Sequence, residues 1–164
     1  MPTQTLFPTL KLSSITRRVL FPFIACAVAV VLLSGAVQRP AGRAYVVIVN
    51  VANPTSSLTD AEISKLFLKR KLRWPNGRPV VPVDQRSDSP TRTSFSIEIL
   101  RKKPSAVDNY WQQQIFSARE VPPVERASDE AVMMFVEENP DAIGYVAAGA
   151  VLSRGLKVVE ILQP

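Results

Sequence analysis

The sequence predicts a layered α/β domain over residues 44–164. Apolar β-branched segments typical of strands alternate there with amphipathic segments that begin at capping residues. A length of about 120 residues can bury one hydrophobic core and is too short for two domains of ordinary size. We therefore expect one compact domain in which helices cover a small sheet.

The first predicted elements are a strand and a helix. Residues 45–49 (YVVIV) form a short apolar run of the kind found in central strands that are buried on both faces. Thr59 and Glu62 have the spacing of a capping box, which predicts a helix from there to Leu68 with apolar residues on one face. Trp74 follows at a turn, and we expect it to plug the edge of the core.

The middle of the chain predicts a second strand and two further helices. Residues 80–83 are typical of a strand, which Pro82 would confine to an edge or to irregular pairing. Ser89 before Pro90 predicts a helix start, because Ser caps free N–H groups and Pro has none to leave unpaired; this helix should end near Leu100. Another helix is expected over residues 105–116. Its expected buried positions are Val107, Tyr110, Trp111, Ile115 and Phe116.

The last predicted elements are a helix and two strands. Residues 121–123 are expected to be an extended connector, after which Ser128 caps a helix to Glu138 whose two Met residues, 133 and 134, fill the core. Residues 143–146 and 156–162 have the composition of strands. No Cys follows Cys26, so the domain should be held together by core burial without a disulfide.

Residues 1–43 have the composition of an export signal or a membrane anchor. They contain five Lys or Arg and no acidic residue, and the apolar run 19–37 follows Arg17 and Arg18. Signal peptidase could cut this leader after Ala36, or the run, which would reach roughly 28 Å as a helix, could stay uncleaved as an anchor. The arginine pair also fits a twin-arginine signal. Each alternative places residues 44–164 outside the cytoplasm, so we expect a periplasmic or exported protein.

Charge and reactive residues narrow the function classes. Five of the 20 Lys and Arg lie in the leader, which leaves residues 44–164 with 15 cations against 14 Asp and Glu, a net charge of +1. Nucleic-acid binding would need a larger surplus of cations on the folded part. The chain has no His, and its one Cys lies in the leader. We therefore expect no enzymatic activity, no metal site and no cofactor.

Three segments carry a resemblance to a known family. LTDAEISKLFLKRKLRW (residues 58–74), RSDSPTRTSF (residues 86–95) and DAIGYV (residues 141–146) resemble, in order, motifs of the periplasmic phosphate-binding protein family. The family counterparts are a Leu-Ser/Thr-x-x-Glu helix, an Arg-Ser-Asp-Gly-Ser-Gly-Thr loop and Gly-x-Ile-Gly-Tyr-Val. The chain also resembles small single-lobe phosphate-transporter substrate-binding proteins. This implies one lobe of a periplasmic-binding-protein-like (type II) fold, layered α/β/α around a small mixed sheet.

The resemblance also implies a binding site for an oxyanion. Arg86 and Asp88 fall on the family's arginine and aspartate, directly before the helix start. A guanidinium, a carboxylate that accepts from a protonated ligand oxygen, and helix N-terminal N–H groups suit such a ligand. Residues 90–92 depart from the family's Ser-Gly-Thr, and we expect Arg92 and nearby hydroxyls to compensate. The predicted site residues are Arg86, Asp88, Ser89, Thr91 and Arg92.

Two functions follow from this resemblance. The first is an exported solute-binding module for phosphate or a related oxyanion, which acts with the membrane subunits of an ABC importer. The second is an envelope accessory protein that keeps the lobe as a scaffold and binds another envelope protein without a ligand. Receptors of the family close two lobes around the ligand, so one lobe would need a dimer or a partner for high affinity.

Overall fold

The computed structural model describes residues 42–162. Residues 1–41 of the predicted leader therefore lie outside the described residues, and Cys26 and the arginine pair lie there as well. Within the described range, no helix combines the length and apolarity needed to cross a bilayer. In chain order the elements are β1 (Tyr45–Asn50), β2 (Ser57–Thr59), α1 (Asp60–Phe67), β3 (Val81–Gln85), α2 (Pro90–Glu98), α3 (Pro104–Phe116), β4 (Val124–Arg126), α4 (Asp129–Glu138), β5 (Ala142–Ala147) and β6 (Leu156–Leu162).

A mixed sheet of six strands forms the middle layer, in the order β2-β6-β1-β5-β3-β4. The strand β1 pairs antiparallel with both β5 and β6, which confirms its predicted central place. The strand β3 pairs parallel with β4 and β5, and β2 pairs parallel with β6. Because β3, β4 and β5 run in one direction, their carboxyl ends meet at one edge of the sheet.

Helices cover both faces of the sheet, which confirms the predicted α/β/α layering. One face of β1 and β5 packs with buried residues of α1, α2 and α3, among them Ile63, Phe95 and Trp111. The other face packs with Val132 and Val136 of α4. These helices can lie close to the sheet because their buried positions are apolar and recur at helical spacing.

Gly144 of β5 allows α4 to approach the sheet closely. A Cβ atom there would lie 2.7 Å from Val132 Cγ1 and 2.8 Å from Val83 Cγ1, too close for any side chain. The backbone conformation of Gly144 does not require glycine. Glycine is required because it has no side chain and so leaves room for the two Val residues.

Several local predictions are confirmed. Thr59 and Glu62 form both hydrogen bonds of the capping box at the start of α1. Trp74 is buried in the core, and its indole Nε1–H donates to the carbonyl of Asp141 at 3.0 Å. Ser89 and Ser128 cap α2 and α4 with their side chains.

The remaining local predictions are confirmed only in part or are wrong. The strand β3 is not at an edge, but its pairing is irregular, which is the second alternative predicted from Pro82: Pro82 pairs with Ile143 of β5, and the β4 partners begin only at Val83. The missing N–H of Pro82 is therefore tolerated inside the sheet. Phe116 is 98% exposed, and Ile115 and Met134 are exposed as well, because they lie on helix faces turned away from the sheet. The sequence predicts no strand at β2 or β4; the connector expected over residues 121–123 ends directly before β4.

Candidate functional site

The candidate site lies where β3 ends and α2 begins, at the edge where three parallel strands end together. Residues 86–88 connect the two elements, and Ser89 is the N-cap of α2 with an extended backbone (φ −70°, ψ 129°). Its hydroxyl oxygen accepts from the backbone N–H of Arg92 at 3.3 Å, and Pro90 takes the first helical position. The positive end of the helix dipole therefore faces the connecting loop.

Arg86 and Asp88, the two residues matched to the family's arginine and aspartate, lie side by side on this loop. Their side chains are 60% and 71% exposed, and Arg86 Nη2 lies 3.1 Å from Asp88 Oδ2. The backbone N–H of Arg86 donates to the carbonyl of Arg126 at 3.2 Å, which fixes the start of the loop on β4. An ion pair this exposed contributes little to folding.

Gln85 joins the starts of two helices beneath this loop. Its Oε1 accepts from the Ser89 hydroxyl at 2.5 Å, and its Nε2 donates to Asp129 Oδ1 at 2.7 Å and to the Tyr145 carbonyl at 3.0 Å. Asp129 is the first residue of α4 and also accepts from the Ala147 N–H at 3.1 Å through Oδ2. The starts of α2 and α4 are thus held at one sheet edge. Sequence reasoning missed Gln85, although an amide directly before the Arg-Ser-Asp segment was a usable signal.

Arg92 lies inside the domain, which corrects its expected role as a direct oxyanion contact. Its side chain is 1% exposed, and Nη1 donates to the Gln85 carbonyl at 2.7 Å and to Glu125 Oε1 at 2.9 Å. Nη2 lies 2.8 Å from Asp108 Oδ1 and 3.5 Å from Asp84 Oδ2. The position faces inward on the first turn of α2, so the guanidinium supports the site from below. Thr91 is half-buried on the same turn.

The buried carboxylate of Asp84 is the centre of this support. Its Oδ1 accepts from the Gln85 N–H at 2.8 Å and from the Tyr145 hydroxyl. Burial raises the pKa of Asp84, although Arg92 and these hydrogen bonds oppose the rise. A carboxylate is seldom buried without a partner. An Asp next to the apolar residues of a predicted strand was therefore a signal in the sequence for a buried, paired carboxylate at Asp84.

The two side-chain partners of Asp84 are Arg92 and Tyr145, and their surroundings keep Arg92 charged and Tyr145 protonated. Burial raises the pKa of the Tyr145 hydroxyl, and the negative Asp84 raises it further, so Tyr145 stays a hydrogen-bond donor. Burial lowers the pKa of Arg92, but the nearby carboxylates more than offset it and the net pKa is raised. The Tyr145 ring stacks on Phe95 of α2 with centroids 3.9 Å apart and planes 6° apart. The helix start is therefore fixed to the sheet by both charge and packing.

The exposed groups of the candidate site lie at the start of α2. They are one guanidinium and one carboxylate, which follow the end of β3 and precede the capped helix. The fold, a mixed sheet of six strands with helices on both faces, is that of one lobe of a periplasmic-binding-protein-like domain.

Comparison with solved structures identifies the proteins that share this fold. An ABC-type phosphate transport receptor from Vibrio cholerae matches with a TM-score of 0.55 and 20% identity over 71% of this chain and 45% of its own. A phosphate ABC transporter substrate-binding protein from Clostridium perfringens, solved with bound phosphate, matches with a TM-score of 0.57 and 21% identity over 72% of this chain and 44% of its own. PstS from Borrelia burgdorferi matches with a TM-score of 0.51 and 13% identity over 72% of this chain and 47% of its own.

The chain is thus similar in fold to phosphate ABC transporter substrate-binding proteins, as the sequence resemblance predicted. It spans less than half the length of these three solved structures. No protein-family model matches the chain, and no curated protein matches it in sequence.

Proposed function

We propose that this protein is an exported, non-enzymatic solute-binding module that takes phosphate or a related oxyanion at the start of α2. The observation that supports this proposal is the exposed Arg86–Asp88 pair, which directly precedes the capped N-terminus of α2. The fold around the pair is similar to that of phosphate receptors. Thr91 completes the proposed contacts, whereas Ser89 holds the helix start in place because its hydroxyl donates to Gln85 and its N–H donates to the Arg86 carbonyl. In this proposal Arg92 positions the loop and makes no direct contact, because its donors are directed at protein carboxylates.

In this proposal, the positive and negative groups of the site contact different oxygens of the ligand. Arg86 would pair with two ligand oxygens, and the positive end of the α2 dipole would face the same anion. Asp88 would accept a hydrogen bond from a protonated ligand oxygen. Phosphate carries such a proton at neutral pH and sulfate does not, so the pair favours phosphate over sulfate.

The length of the chain bears on affinity. The solved receptors are more than twice as long as the matched segment, which corresponds to one lobe. A site open to water on one side is screened and has few converging donors. We propose that a second copy, an importer subunit or another envelope protein encloses the ligand, and that residues 1–43 export the domain or hold it at the membrane.

A thermal-shift titration with phosphate, and with sulfate at matched ionic strength, tests the proposal on residues 40–164. For a dissociation constant of about 1 mM, 10 mM phosphate would add about 1.4 kcal/mol of stability, or roughly 4–6 °C in Tm. The Arg86→Ala/Asp88→Ala variant should lose this shift. The Arg119→Ala/Glu120→Ala variant, which also removes one cation and one carboxylate, should keep it.

The opposite results would count against the proposal. An equal shift with both anions in all three proteins would indicate a general ionic effect. No shift with phosphate would favour a second function, in which the lobe is a scaffold for another envelope protein. The exposed Phe116 and Ile115 at the end of α3 favour that function, because large apolar side chains in water often mark a contact surface. A stable protein complex that phosphate does not affect would support it.

A further inference from the structure

Cations from two runs that are far apart in the sequence lie on one side of the domain. Residues 69–71 (KRK) follow α1, and residues 101–103 (RKK) follow α2. Arg70 and Arg101 line one groove together with Lys65 of α1, and Arg101 lines an adjoining groove with Lys102 and Lys103. We call this surface the basic face. Its cations are Lys65, Arg70, Arg101, Lys102 and Lys103.

The basic face keeps a surplus of positive charge. Asp60 is the one carboxylate among the residues that line the two grooves. Its Oδ1 lies 2.9 Å from Arg43 Nη2, and its Oδ2 lies 3.6 Å from Arg101 Nη2. Asp60 is thus already shared by two arginines. Because residues 44–164 carry a net charge of only +1, five cations on one face make the domain electrically asymmetric.

Cations at helix ends often only complement the helix dipole, and two features here go beyond that role. First, the cations of two helix ends and of the α1 surface converge on neighbouring grooves. Second, Ile97 lies in the second groove among them and is half exposed to water. Cations that surround an exposed aliphatic side chain are typical of surfaces that bind the headgroup region of a bilayer.

Few residues separate the basic face from the apolar run 19–37 in the sequence. Arg43 contacts Asp60 at the edge of the first groove, and only residues 38–42 separate it from the run 19–37. Six extended residue steps span at most about 21 Å. If the run occupies a bilayer, the basic face cannot lie far from the headgroups of the same membrane.

We propose that the basic face docks on anionic phospholipid headgroups, in the membrane that residues 19–37 would enter as the predicted leader or anchor. The inference is independent of the proposed oxyanion site and concerns another end of the molecule. Arg101 follows the C-terminal end of α2, and Ser89 caps its N-terminal end, so the nine helical residues separate the two regions by about 14 Å. Docking through the basic face would leave the start of α2 turned away from the bilayer.

Hydrogen–deuterium exchange of the full chain in lipid nanodiscs tests this docking. One set of nanodiscs contains phosphatidylcholine alone, and the other contains one-third phosphatidylglycerol. We expect residues 65–72 and 97–103 to exchange more slowly in the anionic nanodiscs, and residues 124–138 to exchange equally in both. Raising the salt concentration to 1 M should remove the difference, because the screening length falls to about 3 Å.

Two charge-matched variants decide whether the named cations are responsible. Each basic residue near an anionic surface contributes about fivefold to binding (about 1 kcal/mol), so Lys65→Gln/Arg70→Gln/Lys103→Gln should lose the protection. Arg119→Gln/Arg154→Gln/Lys157→Gln removes three cations elsewhere and should keep it. Equal exchange in both lipid compositions, or an equal loss in both variants, would overturn the proposal. The salt dependence of the unmodified chain tests it even where a variant fails to fold.

Discussion

Replacing Arg92 with methionine should destabilise the domain strongly, although the residue lies one helical turn from the surface loop. Methionine roughly preserves the length of the side chain and removes the cation. The change leaves the Gln85 carbonyl without the donor that now lies 2.7 Å away. It also leaves three carboxylates without their shared partner.

The expected magnitude follows from the exposure of those carboxylates. Asp108 and Glu125 are 41% and 52% exposed, so water screens them and each pair contributes about 0–1 kcal/mol. Asp84 is buried, and removing one partner of a buried ion pair costs about 3–5 kcal/mol. Asp84 keeps its hydrogen bonds from Gln85 and Tyr145, which favours the lower end. We therefore expect Arg92→Met to lower the free energy of unfolding by about 3–4 kcal/mol.

Urea unfolding followed by tryptophan fluorescence measures this loss. The Arg92→Met/Asp84→Asn double variant should be at least about 1 kcal/mol more stable than the sum of the single effects predicts, because the uncompensated charge is gone. A loss below about 1 kcal/mol for Arg92→Met, or additive effects in the double variant, would refute the assigned role of the ion pair.

The loss should also depend on pH. Burial raises the pKa of Asp84 in the folded state above its ordinary value of 3.8, so the folded state binds the proton more tightly than the unfolded state. Stability is therefore lost as pH rises from below 3.8 through the folded-state pKa. Arg92 opposes this rise, and its removal widens the pH window. The cost of Arg92→Met should be smallest below pH 3.8 and grow toward neutral pH, and a cost that is constant with pH would contradict this mechanism.

Four further substitutions test the fold. Thr59→Ala should lower the free energy of unfolding by about 1 kcal/mol at neutral pH. Hydrogen bonds from the Thr59 backbone and hydroxyl lower the pKa of Glu62 below 4.5 in the folded state. The loss measured in urea melts should therefore shrink as pH falls through that lowered pKa. Gly144→Ala should cost about 1–3 kcal/mol in the same melts, because its Cβ would overlap the side chains packed above it; a neutral effect would contradict the close approach of α4. Trp111→Ala should cost about 3–5 kcal/mol, whereas Phe116→Ala should stay within about 0.5 kcal/mol, and equal losses would contradict their opposite burial.

Local chemistry made the element order predictable from the sequence. The capping box at Thr59 and the Ser89-Pro90 helix start are encoded by neighbouring residues, and both occur where expected. The apolar run that became β1 was long enough to predict a central strand. The short strands β2 and β4 were not predictable in this way, because their partners are distant in the sequence and the segments have only three residues each.

The site was predictable only in part, for a different physical reason. Arg86 and Asp88 lie exposed on a loop, where the resemblance to phosphate-binding proteins suggested them. Arg92 lies on the first turn of α2, and the sequence alone does not indicate which side of that turn faces the core. Only the tertiary structure places the carboxylates of Asp108 and Glu125 around its guanidinium. Arg92, which the sequence predicts as a ligand contact, therefore forms ion pairs within the protein.

The resulting charge balance bears on how one lobe could bind an anion. The buried guanidinium is surrounded by three carboxylates, so the region beneath the loop has no surplus of positive charge to attract a dianion. Arg86 is the exposed cation of the proposed contacts, and Asp88 partly neutralises it. Attraction by the isolated lobe thus depends on one guanidinium and one helix start. Under the proposed function, the surface that closes over the ligand must contribute further donors or cations, and these would determine the affinity more than the lobe does.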